Sequence, residues 1–183
     1  MHSLQVSPFP YVIGEEFLRP DDASDVLTAL ERCSWTAVAG KHFEFGELQN
    51  VNLLEMIVQK LNERRVSSAV RDLLTTAFKI PLSTTMQAAA HRYRPGEGIG
   101  PHTDEGVKAA RFILNLNRDW KPEHGGIWLL GNNIQLQPAE PLAPKSNSGF
   151  GFISGPETYH AMSERTFGES FAFIFEFSIV EGG

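Results

Sequence analysis

The stretch Tyr93-Arg94-Pro95-Gly96-Glu97-Gly98-Ile99-Gly100-Pro101-His102-Thr103-Asp104 carries a strand-forming segment through a glycine-rich run into a His-x-Asp pair. The spacing Gly96-x-Gly98-x-Gly100 is not that of a phosphate-cradling GxGxxG loop, and no helical pattern follows it. It reads as a bend at which one strand ends and the chain re-enters at His102. Residues i and i+2 of an extended segment point to the same side, so the imidazole of His102 and the carboxylate of Asp104 are placed to share one metal ion. With one distant histidine they form the two-His, one-carboxylate set that leaves coordination positions free on non-haem Fe(II).

A bare His-x-acid match is weak, because six histidines and 22 acids in this chain produce about one such pair by chance. A second pair, His42-Phe43-Glu44, follows Gly40-Lys41 in a polar stretch with no strand context, and His42 reads as a surface turn or edge-strand residue. Among the other histidines, His91 shares a strand face with Tyr93 and His124 precedes the turn Gly125-Gly126. Only His160 lies between two β segments late in the chain. On its own it reads as a core histidine; beside His102 and Asp104 it reads as the third ligand.

Outward from this stretch the pattern changes near residue 81. Before it, Val26, Leu27 and Leu30 mark a helix through about Arg32, with N-cap chemistry at Asp21-Asp22-Ala23 after Pro20. Leu53, Leu54, Ile57 and Leu61 mark a second helix, and Val70, Leu73, Leu74 and Phe78 a third. Residues 9–13 read as a short strand. After Pro81, short segments between Gly, Pro and Asn clusters cover 84–93, 109–116, 126–130, 149–153, 159–163 and 170–180. In the last, Phe171, Phe173, Phe175 and Phe177 alternate with Ala172, Ile174, Glu176 and Ser178, which places one phenylalanine face against the helices. The expectation is one domain over 1–183: a helical support region over 1–80, packed on a β-sandwich or barrel over 81–183.

Composition narrows the function classes. A net charge of −6 with no basic stripe argues against nucleic acid as partner. One cysteine, Cys33, excludes an intramolecular disulfide framework and a cysteine-based metal ribbon, and it reads as inert. No apolar run approaches the roughly 18 residues of a membrane span, and the opening Met1-His2-Ser3-Leu4-Gln5 has no signal-peptide pattern. A cytoplasmic protein with no membrane partner is expected; the oligomeric state is not read from these features.

Taken in order, Tyr93, Gly96, His102-Thr103-Asp104, the run Arg111 to Trp120, Gly125-Gly126, Pro144-Lys145-Ser146-Asn147, Phe152 and His160 resemble the prolyl-4-hydroxylase-like 2-oxoglutarate/Fe(II) oxygenases over about residues 84–180. The resemblance implies a mainly β fold with α, a double-stranded β-helix or jelly roll packed against N-terminal helices. It implies Fe(II) held by His102, Asp104 and His160, with 2-oxoglutarate and O2 as co-reactants, and oxidation of a C–H bond, most simply hydroxylation, in a small-molecule or amino-acid-like substrate. A carboxylate at position 104, rather than a small residue, sets the chain apart from relatives that halogenate.

One position departs from the family pattern. Where relatives place an Arg or Lys about ten residues after the distal histidine, to pair with the far carboxylate of 2-oxoglutarate, this chain has Ser170. Arg165, just after His160, and Arg111, on the strand after the His-x-Asp bend, are the cations available for that role, and Tyr93 matches a position whose phenol contacts the cosubstrate. Two alternatives stand beside the oxygenase reading: a non-haem iron oxidase that does not use 2-oxoglutarate, and a jelly-roll binding protein with a vestigial metal site. Trp120 reads as closing a strand–loop corner, and Trp128 as core or as a wall of the substrate site.

Overall fold

In the computed structural model, which describes residues 2–41, 43–63, 65–104, 109–137 and 140–180, alternation of side chains along the late strands sets the architecture. Twelve strands form one antiparallel sheet. They are β1 (His2–Gln5), β2 (Tyr11–Glu15), β3 (Thr36–Gly40), β4 (Phe43–Glu47), β5 (Leu82–Tyr93), β6 (Gly98–His102), β7 (Ala109–Asn117), β8 (Trp128–Gly131), β9 (Glu140–Leu142), β10 (Ser148–Ile153), β11 (Tyr159–Met162) and β12 (Ser170–Ile179). The order runs β1-β2-β10-β7-β12-β5-β4-β6-β11-β8-β9, with β3 paired to β4. The broad half from β1 to β5 turns at β4 into the narrower half from β6 to β9. The two halves enclose an aromatic interior of Phe9, Tyr11, Tyr93, Trp128, Phe150 and Phe152. This is the expected jelly roll.

Three helices, α1 (Pro20–Glu31), α2 (Val51–Glu63) and α3 (Val66–Phe78), cover the outside of the broad half. Phe171, Phe173, Phe175 and Phe177 of β12 pack outward against Leu30, Ile57, Leu61, Val70 and Leu74, while Ala172 and Ile174 face the barrel interior. The period of two that marks this strand in the sequence therefore separates a packing face from a functional face. Each fully buried phenylalanine contributes about 1.5–3 kcal/mol. Asn147 ties α1 to the sheet: in the left-handed region at φ 60, its Oδ1 accepts from the Leu18 amide at 2.8 Å and its Nδ2 donates to the Leu18 carbonyl at 2.7 Å.

Three local features differ from the sequence reading. Helix α1 starts with Pro20 in its first turn and no side-chain cap; Asp22 instead pairs with Arg19 at 2.8 Å. The hairpin β3–β4 and strand β1 are elements not expected from the sequence, which marks helices, one short strand and, at His42, a surface turn or edge strand in this region. The hairpin joins the barrel wall through Gly46 and Glu47 to β5 and through Phe43 and Glu44 to β6. His42 lies outside the described residues. Finally, the glycines after Tyr93 are not all bend: Gly98 and Gly100 belong to β6, which pairs with β4 and β11. Among the described residues no helix is long and apolar enough to cross a membrane.

Phe173→Ala should lower unfolding free energy by about 3–5 kcal/mol, because the site is fully buried between sheet and helices. Ser178→Ala, on an exposed position of the same strand, should change it by less than about 0.5 kcal/mol. Urea midpoints of the two variants measure the difference.

Candidate metal centre

The antiparallel register of β6 and β11 sets His102 directly opposite His160, and their rings lie 4.2 Å apart between centroids. Asp104 follows two residues after His102, just past the end of β6. Its Oδ1 is 3.9 Å from His102 Nε2 and its Oδ2 is 3.5 Å from His160 Nε2. The three ligand atoms fall within 4.8 Å of one another. Each histidine turns its Nδ1 to a backbone carbonyl two residues upstream, Gly100 at 2.9 Å and Thr158 at 3.2 Å. A carbonyl only accepts, so Nδ1 carries a proton in each ring and the Nε2 atom is the one turned to the centre, the orientation a metal requires. Burial holds His160 neutral, lowering its pKa to about 4, with nearby His102 as the next cause.

Asp104 Oδ2 is buried and lies 2.5 Å from Nη1 of Arg111 in an ion pair. A buried carboxylate beside the Nε2 atoms of two imidazoles, with one ligand atom from each residue within 4.8 Å of the others, is a donor set that fits a divalent cation. Glu176 completes the surroundings. It sits opposite Arg111 in the β7–β12 register, accepts from Arg111 Nε at 2.7 Å and lies 2.7 Å from Nη2. Arg111 thus stands between two carboxylates, one of them a metal-ligand candidate.

On the inward side of the triad the barrel is filled by rings. Phe152 lies 4.9 Å from His160 and Trp128 6.4 Å, centroid to centroid. The Trp128 indole donates to Asn115 Oδ1 at 2.9 Å. Beyond Trp128 the inner face ends in Tyr93, Ser170 and Asn117, which share one register line. Tyr93 is buried, which pushes its phenol pKa well above the usual value.

Arg165 reaches this end from the loop after β11. It is 1% exposed, and among the described residues no carboxylate lies within ion-pair distance of it. Nη1 donates to the Gly125 carbonyl at 3.4 Å and Nε has no partner. Burial pulls its pKa down. Gly126 makes the room: at φ 68, a Cβ there would stand 3.2 Å from Arg165 Cδ and 4.0 Å from Ser170 Oγ.

The open sides of the triad lie toward the β3–β4 hairpin and toward β5. A chamber of about 460 Å³ opens at His102 and is walled by Val38, Phe43, Phe45, Ile99 and Pro101. A second of about 200 Å³ holds Gln87, Arg111 and Glu176. His91 borders both. Its ring lies 4.4 Å from Phe45, its Nδ1 is 3.3 Å from the Tyr93 hydroxyl, and burial lowers its pKa to about 4.

The structure brings His102, Asp104, His160 and Arg111 together, and places Tyr93 and Arg165 deeper in the barrel. Glu176 and His91 are missed by the sequence reading as site residues. The Phe alternation puts Glu176 on the inner face, a signal that could have found it. His124 and Trp120 lie in the loop between β7 and β8, where the Trp120 indole donates to the Gly125 carbonyl at 2.9 Å and closes that corner as expected.

No protein-family model matches the chain, and no curated protein resembles it in sequence. Solved structures do. A prolyl-4-hydroxylase from Pseudomonas putida superposes with a TM-score of 0.69 at 14% identity, covering 93% of each chain. A 2OG-Fe(II) oxygenase family member from Burkholderia pseudomallei gives 0.70 at 16%, covering 94% of this chain and 87% of that one. The fold is that of the prolyl-4-hydroxylase-like 2-oxoglutarate/Fe(II) oxygenases. The non-haem α-ketoglutarate-dependent epimerase SnoN of nogalamycin biosynthesis shares it, at 0.67 and 13%, covering 91% of this chain and 76% of that one. At these identities the likeness is one of fold, which hosts more than one outcome.

The donor set predicts that the metal-free chain binds Co(II) with visible d–d bands, and that His102→Ala, Asp104→Ala and His160→Ala each abolish them. Glu176→Gln should weaken Co(II) binding by about tenfold, because it leaves the Arg111 charge uncompensated beside the metal and freer to hold Asp104. Glu169→Gln, at an exposed position just before β12, should leave the affinity unchanged.

Proposed function

We propose that the protein is an Fe(II)- and 2-oxoglutarate-dependent oxygenase that oxidises a C–H bond, by hydroxylation in the simplest case, in a small-molecule or amino-acid-like substrate. The observation that carries this reading is the convergence of His102 Nε2, Asp104 and His160 Nε2 within 4.8 Å on a fold shared with such oxygenases. His102, Asp104 and His160 would hold the metal. Bound there, Fe(II) would activate O2, the oxidant, with 2-oxoglutarate supplying two of the four electrons and an unactivated C–H bond the other two.

The chain's own residues do the rest. The backbone carbonyls of Gly100 and Thr158 fix the two imidazoles as neutral ligands. Glu176 holds Arg111, and Arg111 orients Asp104. Phe152 and Trp128 exclude water from the inward side. For the far carboxylate of the cosubstrate we assign Arg165 rather than Arg111, with Tyr93 lining the same end. Arg111 already has two carboxylates, whereas Arg165 is a buried guanidinium with none among the described residues, beside Ser170. A charge from the loop then replaces the cation that position 170 does not supply.

Trp128 favours a second reading, iron oxidation without a keto acid. The Trp128 ring lies 6.4 Å from that of His160, and Gly126, two residues before it in the chain, is the residue beside Arg165, so a ligand reaching Arg165 has to displace or pass the indole. Anaerobic loading with Fe(II) and 2-oxoglutarate separates the two. The oxygenase reading expects a visible iron-to-ketoacid charge-transfer band, lost in His160→Ala; bound iron with no band supports the second. Arg165→Met should weaken 2-oxoglutarate binding at least about thirtyfold and yet leave the urea midpoint equal or higher, since it removes an unpaired buried charge. Arg111→Ala weakening 2-oxoglutarate binding while Arg165→Met does not would reverse the assignment.

A further inference from the structure

We propose that the substrate is a small apolar carboxylate without an ammonium group, its hydrocarbon body in the chamber under the β3–β4 hairpin and its anionic end at Lys41. The reaction performed on it rests on the oxygenase reading; its binding does not.

The chamber adjoins the metal ligand His102 and, at about 460 Å³, falls within the range of small-molecule sites. Its walls are the side chains of Val38, Phe43, Phe45, Ile99 and Pro101. Gly40 shapes one of them: a Cβ there would lie 2.5 Å from the Phe43 ring, so its absence lets that ring fold back across the hairpin.

A peptide is a poor occupant. Every peptide residue brings an N–H and a C=O that need partners once buried. β4, whose Phe43 and Phe45 wall the chamber, offers no edge for strand addition, because it is paired to β3 on one side and to β5 and β6 on the other. Among the described residues the outer edge of β3 is the one strand edge left beside the chamber, and the pentapeptide competitor below tests it. Nor does a free α-amino acid fit well, because its ammonium would need a carboxylate. Among the described lining residues there is no Asp or Glu. The lining polar groups are His91, held neutral by burial, His102 at the metal, and Lys41, whose exposed ammonium marks the mouth. An apolar body with one negative end matches that distribution.

The test uses the metal-free chain, so that no carboxylate can ligate iron, and reads the fluorescence of 2-naphthoate on titration. Saturable binding is expected, about three- to fivefold tighter than that of uncharged 2-naphthalenemethanol, the advantage of one exposed charge pair. Lys41→Glu should erase the preference for the acid while leaving the alcohol unchanged. Val38→Trp, which fills the chamber from an exposed hairpin, should weaken both by at least about tenfold, with Co(II) bands and circular dichroism intact to show a folded site. L-phenylalanine and a blocked proline-containing pentapeptide should not displace the probe.

Absence of naphthoate binding, indifference to Val38→Trp, or displacement by either competitor would overturn the proposal. Because no iron or cosubstrate is present, these results leave the charge-transfer experiment untouched. Absence of the charge-transfer band from the unaltered protein loaded with Fe(II) and 2-oxoglutarate, in turn, would sink the oxygenase reading without altering this one.

Discussion

His102 and His160 face each other across β6 and β11, and an aspartate two residues beyond one of them closes the set. Keeping two neutral imidazoles and a carboxylate together in a barrel costs free energy, because each polar atom loses water. The fold offsets part of that cost locally. A carbonyl of the same strand accepts from each Nδ1, and Arg111 compensates the charge of Asp104. What the strand pair presents is an Nε2 from each ring beside the Asp104 carboxylate, the donor set a metal would take. The register of one strand pair therefore fixes ligand spacing and ring orientation together.

The same pleat organises the wider site. β7 and β12 send Phe112, Leu114, Phe173 and Phe175 outward to the helices and Arg111, Asn115, Ser170 and Glu176 inward. A one-residue slip of either strand would exchange the two sets. The apolar side prevents this: the helices bury the phenylalanines, and that burial holds Arg111 opposite Glu176. Core packing on one face is thus what positions charged groups on the other.

Much of this was legible in the sequence because it is local. The Phe171–Phe177 alternation, the three helical periodicities and the His102-Thr103-Asp104 pair are each written within a dozen residues. His160 needed its neighbours in the chain and the other two ligands to be read as a ligand. The β3–β4 hairpin was not legible: most of its residues are exposed, so neither strand shows a buried face, and its membership of the barrel depends on pairing with β5 and β6 far along the chain. Glu176 and Arg111 are separated by 65 residues, and only strand order makes them partners. The choice between Arg111 and Arg165 turns on which guanidinium already has a carboxylate, which no spacing reveals.

The hairpin and Trp128 together assign direction to the site. Phe152 and the Trp128–Asn115 pair fill the barrel on one side of the triad, so the large open approach to His102 runs under the hairpin. An aromatic wall inward and an apolar chamber outward leave the metal position at a boundary between a sealed interior and a replaceable surface element. Residues of β3 and β4 can change without disturbing either the β6–β11 register or the helix-backed sheet, since the hairpin meets β5 and β6 at only two positions each. The ligands are carried by β6 and β11, and the chamber beside them by the β3–β4 hairpin as well as β6, so the hairpin side of the chamber can vary while the ligand strands are held by the core.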